Sequence, residues 1–399
     1  MRIVQLVPSL EEGEQALEAL AFAQELVRQG HESIVISAGG ALVSRLTLHG
    51  CQHVSLPVDR KRVWNFRLHR KLREQLTASQ ADILFCRGAV CSWHGWKVWR
   101  GLNAAARPRL ITLVQSWSPP GFFRGRRVNA ALARGELVLA SSRLLGAQLQ
   151  QRFGARLSVP APGEVDAPSE SVLRIHYRGV NTRELDRKAP VSGHWHQRLL
   201  NDFPQLEGRN WLLLPGTIAP GRGQERFLEL LAAMKGERAD IFGLIVGDVE
   251  VGQEKYARAL EKRAESMGLG EHVLFLGARR DMRELYASAR ITLDLAEKPP
   301  SNGRIVSESL AMGCPAVTAA GPGSEILQQC FPQGLLEKTG VENLLAVCVD
   351  ILNRPQHIDF RGFSLVETTA EVVGWFQTLQ ENTQQAGAPD KRDLTGATS

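Results

Sequence analysis

Short apolar runs alternate with amphipathic stretches along most of this chain, and that rhythm leaves few folds open. Arg2 to Val7 is almost continuously apolar, and Pro8-Ser9-Leu10 turns it. Glu14 to Gln29 then places Ala16, Leu20, Ala23, Leu26 and Val27 at helical spacing, ends at Gly30, and gives way to a second apolar run, Ile34 to Ser37. Strands without a polar face are those covered on both sides, as parallel strands joined by helices are. The rhythm restarts at Trp211-Leu212-Leu213-Leu214-Pro215-Gly216 and continues through Ile241–Val246, Val273–Leu276 and Ile291–Leu295. At 399 residues the chain exceeds one ordinary core. The expectation is an α/β protein with two doubly wound Rossmann-like domains facing a cleft, the first over 1–188 and the second over 189–363.

Composition narrows the function classes. No apolar run reaches the roughly 18 residues of a spanning helix, and the six cysteines show no CxxC or companion histidine spacing. Reduced thiols in a cytoplasmic protein and no metal site are expected. The first turn holds only Gly13, not G-x-G-x-x-G, which argues against a dinucleotide cofactor. Residues 1–188 hold 27 Lys and Arg against 15 Asp and Glu, a net +12, whereas the remainder holds 21 against 27, a net −6. Arg60 to Arg73 (RKRVWNFRLHRKLR) interleaves basic with apolar residues. It reads either as a helix on an anionic inner-membrane surface or as a sheet-covering helix with a solvated basic face. No nucleic-acid fold signature accompanies the charge, so no nucleic-acid partner is expected.

The chemistry concentrates in Ala296–Leu327, AEKPPSNGRIVSESLAMGCPAVTAAGPGSEIL. A Pro- and Asn-rich turn leads into a helix with Ile305, Leu310 and Ala311 on one face, stopped by Gly313 and Pro315. A strand, Pro315 to Ala320, and a Gly-Pro-Gly turn follow, with a second helix from Ser324. Glycine before a helix start lets backbone N–H groups approach an anion, and the helix dipole favours negative charge there. Glu308, inside the first helix, is placed to accept hydrogen bonds from a vicinal diol. Phosphate and ribose groups together describe a nucleotide-sugar site. On the first domain, strand ends Ala81–Arg87 and Arg109–Val114 make Arg87, Gln115 and Ser116 candidates for a cleft, with Gly13 in the first turn. Trp117, Phe122 and Phe123 follow as sugar-stacking or self-packing aromatics.

Gly303, Arg304, Glu308, Ala311, Gly313, Pro315 and Val317 resemble the signature of the family 4 retaining glycosyltransferases, which have the GT-B fold. Arg178-Gly179-Val180, Leu214-Pro215-Gly216 and Gly243–Gly247 extend the resemblance along most of the chain, and it is nearest to proteobacterial enzymes of lipopolysaccharide core or surface glycans. The resemblance implies that Gly216, Thr217, Arg222, Gly303, Arg304 and Glu308 hold the donor nucleotide and its phosphates. It implies too that Gly13, Arg87 and Gln115 line the acceptor side and that a C-terminal helix, 364–383, crosses back to the first domain before a disordered tail, 384–399. Several positions depart from the pattern. Pro300 replaces the glutamate that contacts the donor sugar, Thr217 an arginine, Arg222 a lysine, and Gln115 a histidine. Glu297 or Asn302 is then the candidate replacement at the donor sugar.

The implied function is transfer of a hexose from a nucleotide sugar to a lipopolysaccharide or lipid-linked glycan acceptor, with retention and without a metal or other cofactor. The alternative is a catalytically degenerate relative that serves as partner subunit of another glycosyltransferase, or as a glycan- or membrane-binding module.

Overall fold

The structure, a computed structural model, describes all residues except 60–64, 105, 118–121, 159–170, 237, 239, 298–301, 320, 339 and 387–399. The chain divides into two units. One runs from Met1 to Tyr177 and is joined by the returning segment from Leu365, and the other is Arg178–Ser364. The crossing falls eleven residues before the expected boundary at 188. Residues 178–188 belong to the second domain, where Val180 N–H donates to the Phe363 carbonyl at 2.9 Å and Leu185 packs on the core.

The first domain contains β1 (Arg2–Leu6), β2 (Glu32–Ser37), β3 (Gln52–Ser55), β4 (Ile83–Arg87), β5 (Arg109–Val114), β6 (Leu137–Ala140), β7 (Leu157–Ser158) and β8 (Ser171–Ile175). They form one parallel sheet in the order β3-β2-β1-β4-β5-β6-β8-β7. The order reverses between β1 and β4, which pair Ile3 with Ile83 and Leu6 with Cys86. Both faces are covered, which explains why β4 is buried at every residue. The C-terminal helix, Leu365–Ala386, supplies Val372, Val373 and Phe376 to a core shared with Ile3, Phe22 and Phe85. It includes 384–386, the start of the expected tail; the rest of that tail lies outside the described residues from 387 on.

Of the basic stretch 60–73, residues 60–64 lie outside the described residues. The rest opens the helix Phe66–Ser79, capped by the Asn65 side chain. Leu68, Leu72 and Leu76 recur at four-residue spacing and are buried against β1, β2 and β4, while Phe66, Arg67, Arg70, Lys71 and Arg73 face outward. The described part is thus a sheet-covering helix with a basic outer surface.

The second domain is a five-stranded sheet in the order β11-β10-β9-β12-β13: β9 (Asn210–Pro215), β10 (Ile241–Val246), β11 (Val273–Phe275), β12 (Ile291–Asp294) and β13 (Ala316–Thr318). All pairs are parallel, and the order reverses between β9 and β12. Ligands of such sheets gather beyond the strand ends at that reversal. The helix after β13 is Gly321–Cys330, so the Gly-Pro-Gly run is its first turn and not a turn before Ser324. Proline is tolerated there because the first N–H groups lack helical partners anyway. No described helix is long and apolar enough to cross a membrane.

Candidate nucleotide-sugar site

At the β9/β12 reversal a glycine-bearing loop and three helix starts come together. Gly216 follows β9 at φ +138°, and a Cβ on Gly247, after β10, would lie 2.1 Å from the Gly216 carbonyl oxygen. The loop after Gly216 is pinned on both sides: Ile218 N–H donates to Asp248 O at 2.9 Å and Glu297 N–H to Gly221 O at 3.0 Å. Gly223, at φ +91°, packs so tightly on Leu295 that a Cβ would come within 2.5 Å, and the helix Gln224–Lys235 begins next. Thr217 is exposed and its carbonyl accepts from Gln224 Nε2 at 3.0 Å, while Arg222 is half-buried in the same loop. The structure therefore brings Gly216, Thr217, Arg222 and Glu297 together. Pro300 lies outside the described residues.

The helix Arg304–Ala311 starts after Gly303, whose φ of +62° and close approach to Gly323 N (2.9 Å from a Cβ) explain the glycine. Asn302 is buried and its Oδ1 accepts from Arg304 N–H at 3.3 Å, so this oxygen shapes the helix start. Glu308 is 7 % exposed. Its Oε1 accepts from Arg304 Nε at 2.8 Å and pairs with Arg178 Nη1 at 3.5 Å. The helices that begin at Gln224, Arg304 and Gly321 follow β9, β12 and β13, which are neighbours in the sheet. Their starts sit along one edge, where the first N–H groups have no partner within their own helix (the Arg304 N–H is taken by Asn302) and the positive dipole ends favour an anion.

One residue of this edge escaped the sequence reading. Asp294 ends β12, is 4 % exposed, and its Oδ2 has no hydrogen-bond partner among the described residues. Burial raises its pKa to about 6, against smaller lowering effects of the Ala296 N–H and the Arg222 charge. The only signal was a carboxylate closing the apolar run ITLDL. The folded state holds this proton between the ordinary carboxylate pKa of 3.8 and about 6. Its stabilising effect is therefore complete below 3.8 and is lost as pH rises through 6. Asp294→Asn is expected to raise stability by about 2 kcal/mol at pH 7.5 and by much less at pH 4. Thermal melts at the two pH values measure this, and equal gains would refute it.

The first-domain candidates are placed otherwise than expected. Arg87 and Gln115 do meet, but inside the domain. Arg87 is 2 % exposed, its Nε donates to Gln5 Oε1 at 2.9 Å and its Nη1 to Glu18 Oε1 at 3.0 Å, and Gln115 Nε2 donates to Glu18 Oε2 at 2.7 Å. Phe22 and Phe85 lie against the guanidinium at 5.2 and 4.9 Å. Glu18, on the helix Glu14–Arg28, is the residue that draws both inward, since a buried carboxylate requires partners. Gly13 precedes that helix in extended backbone, where a Cβ would meet only ordinary contact, the Glu11 carbonyl oxygen at 4.0 Å; the glycine required nearby is Gly40, at φ +142° and packed on Leu10. Trp117 packs on its own domain, its Nε1 donating to Gln148 at 2.6 Å under Arg152. The side chains of Phe122 and Phe123 lie outside the described residues.

Sequence and structure comparisons agree with this architecture. The family described as "Glycosyltransferase Family 4" matches residues 19–163, and "Glycosyl transferases group 1" matches 198–361. The lipopolysaccharide glucosyltransferase WaaG of Escherichia coli (strain K12) is 32 % identical over 114 residues, 29 % of each chain. The match thus spans under a third of that relative. A crystal structure of a glycosyltransferase from Rickettsia africae ESF-5 superposes with a TM-score of 0.74 at 18 % identity, over 96 % of this chain and 99 % of that one. Anabaena HepE in complex with UDP superposes at 0.67 and 17 % identity, over 97 % and 99 %; it is also known bound to UDP-glucose. At such identities the likeness is one of fold. Both halves of the chain match glycosyltransferase families in sequence, and the chain carries the two Rossmann-like domains of the GT-B glycosyltransferases.

Proposed function

We propose that this protein is a retaining glycosyltransferase that moves a hexose from a nucleotide sugar to a lipopolysaccharide or lipid-linked glycan acceptor. The observation that carries the donor half is the convergence of three helix starts and Arg222 at the β9/β12 reversal, with Glu308 one turn into the middle helix. Arg222 offers the leaving diphosphate a bidentate cation, the helix starts offer N–H donors, and Glu308 offers a carboxylate to the ribose. Charge developing on the diphosphate is then met by groups already in place, which lowers the barrier without solvent reorganisation. HepE supplies the first donors to try, UDP-linked sugars, and WaaG the acceptor class. The basic outer surface of the helix Phe66–Ser79 fits an acceptor carried on an anionic membrane.

A second reading, a degenerate partner subunit, draws on two observations: Thr217 presents only a hydroxyl, and Asn302 Oδ1 is already engaged by Arg304 N–H. Calorimetric titration with UDP, GDP and ADP, each free and sugar-linked, separates the two readings. A transferase is expected to bind one nucleotide sugar more tightly than its nucleotide, with a loss of about 10- to 100-fold in Glu308→Ala. Turnover on a lipid-linked acceptor should give a product of unchanged anomeric configuration. A well-folded protein that binds none of the six at millimolar concentration removes the transferase reading.

A further inference from the structure

Arg178 stands 130 positions before Glu308 in the chain, between the two segments that match glycosyltransferase families. Yet it reaches the same carboxylate oxygen as Arg304. Its side chain is 16 % exposed, that of Glu308 10 %, and that of Arg304 40 %. The two arginines differ in what they can do. Arg304 lies four residues before Glu308 on one helix, an ordinary neighbour pair that moves with it. Arg178 belongs to the segment entering the domain, anchored by the Val180 N–H to Phe363 O bond and the Val180–Ser364 bridge. It therefore fixes the carboxylate relative to a second, independent part of the domain. Both contacts go to Oε1, and Oε2 forms no hydrogen bond among the described residues.

We infer that Arg178 is a positioning residue of the nucleotide-sugar site, holding Glu308 by one oxygen so that the other is oriented for the donor's hydroxyls. This rests on the donor site proposed above. Arginine suits the task because its planar fork sets a direction, which a lysine's point charge does not. Removing it leaves Glu308 with a single, more exposed partner and a wider range of orientations, so the cost falls on ligand binding more than on folding.

The test is a double-mutant cycle on the full chain, with UDP and UDP-glucose as titrants and thermal melting alongside. Arg178→Gln is expected to weaken UDP-glucose binding about tenfold, the scale of one lost, largely buried ion pair. In a Glu308→Gln background the same change is expected to cost less than about twofold, because its target is gone. Should the glutamine variant not fold, Arg178→Lys reads the same cycle, with an expected loss of about threefold that vanishes beside Glu308→Gln. Unchanged binding in Arg178→Gln, or equal losses in both backgrounds, overturns the positioning role while leaving the donor site intact. A wild type that binds neither ligand overturns the donor site itself, and the inference with it.

Discussion

Gly247→Ala is expected to destabilise the second domain by about 3 kcal/mol or more and to abolish nucleotide binding with it. The added Cβ would lie 2.1 Å from the Gly216 carbonyl oxygen and 2.7 Å from its carbon, with φ at +154°. That contact is with backbone, which has no rotamer to yield, so the strand end and the loop through Arg222 must shift together. For a domain of this size about 3 kcal/mol lowers the melting temperature by roughly 6–12 °C. Gly252→Ala supplies the control: Gly252 also has a positive φ, +85°, but open space around its Cβ. It should cost only the conformational preference, about 1 kcal/mol. Equal melting temperatures for the two variants would show that the close approach of β9 and β10 is not what sets this loop.

Glu18→Ala is expected to cost about 3–5 kcal/mol in the first domain, since it strands the Arg87 guanidinium in the interior with Gln5 as its remaining acceptor among the described residues. Burial already lowers the Arg87 pKa, while Glu18 acts to raise it. Replacing both members, Glu18→Leu with Arg87→Met, should recover part of the loss: the two apolar groups require no partners, but the buried Gln5 and Gln115 amides lose theirs. Equilibrium denaturation of the three proteins decides the matter. A Glu18→Ala protein within 1 kcal/mol of wild type would mean that Arg87 has access to water, and would return it to the list of cleft residues.

The alternation of elements was legible because burial on both faces forces strands to be apolar throughout, as at Ile83–Arg87 and Ile241–Val246. The helix stop at Gly313 was legible for a similar reason. At φ +78°, with Arg187 against it, only glycine sits easily there. The helix Gly88–Trp99 gave no periodic signal, because Cys91, Trp93, His94 and Val98 are buried around most of its circumference. Arg87 and Gln115 were correctly placed at strand ends, yet whether a strand-end side chain turns outward or inward depends on its partner. That partner, Glu18, lies 69 and 97 positions away in the chain. Asp294 and Arg178 are the same problem in the second domain: one is defined by the partner it lacks, the other by a partner 130 positions on. Local spacing carries neither kind of information.

The route of the chain through the first domain sets an order in time. It leaves at Tyr177 and re-enters at Leu365, after the whole second domain. A ribosome adding about 5–20 residues per second spends roughly ten to forty seconds on the stretch between. Throughout that interval the apolar surface of Ile3, Phe22 and Phe85 has no Phe376 or Val372 to cover it, because these have not been synthesised. The second domain, by contrast, is one uninterrupted segment and emerges with every part of its core in hand. The first domain to be translated is the last to be completed.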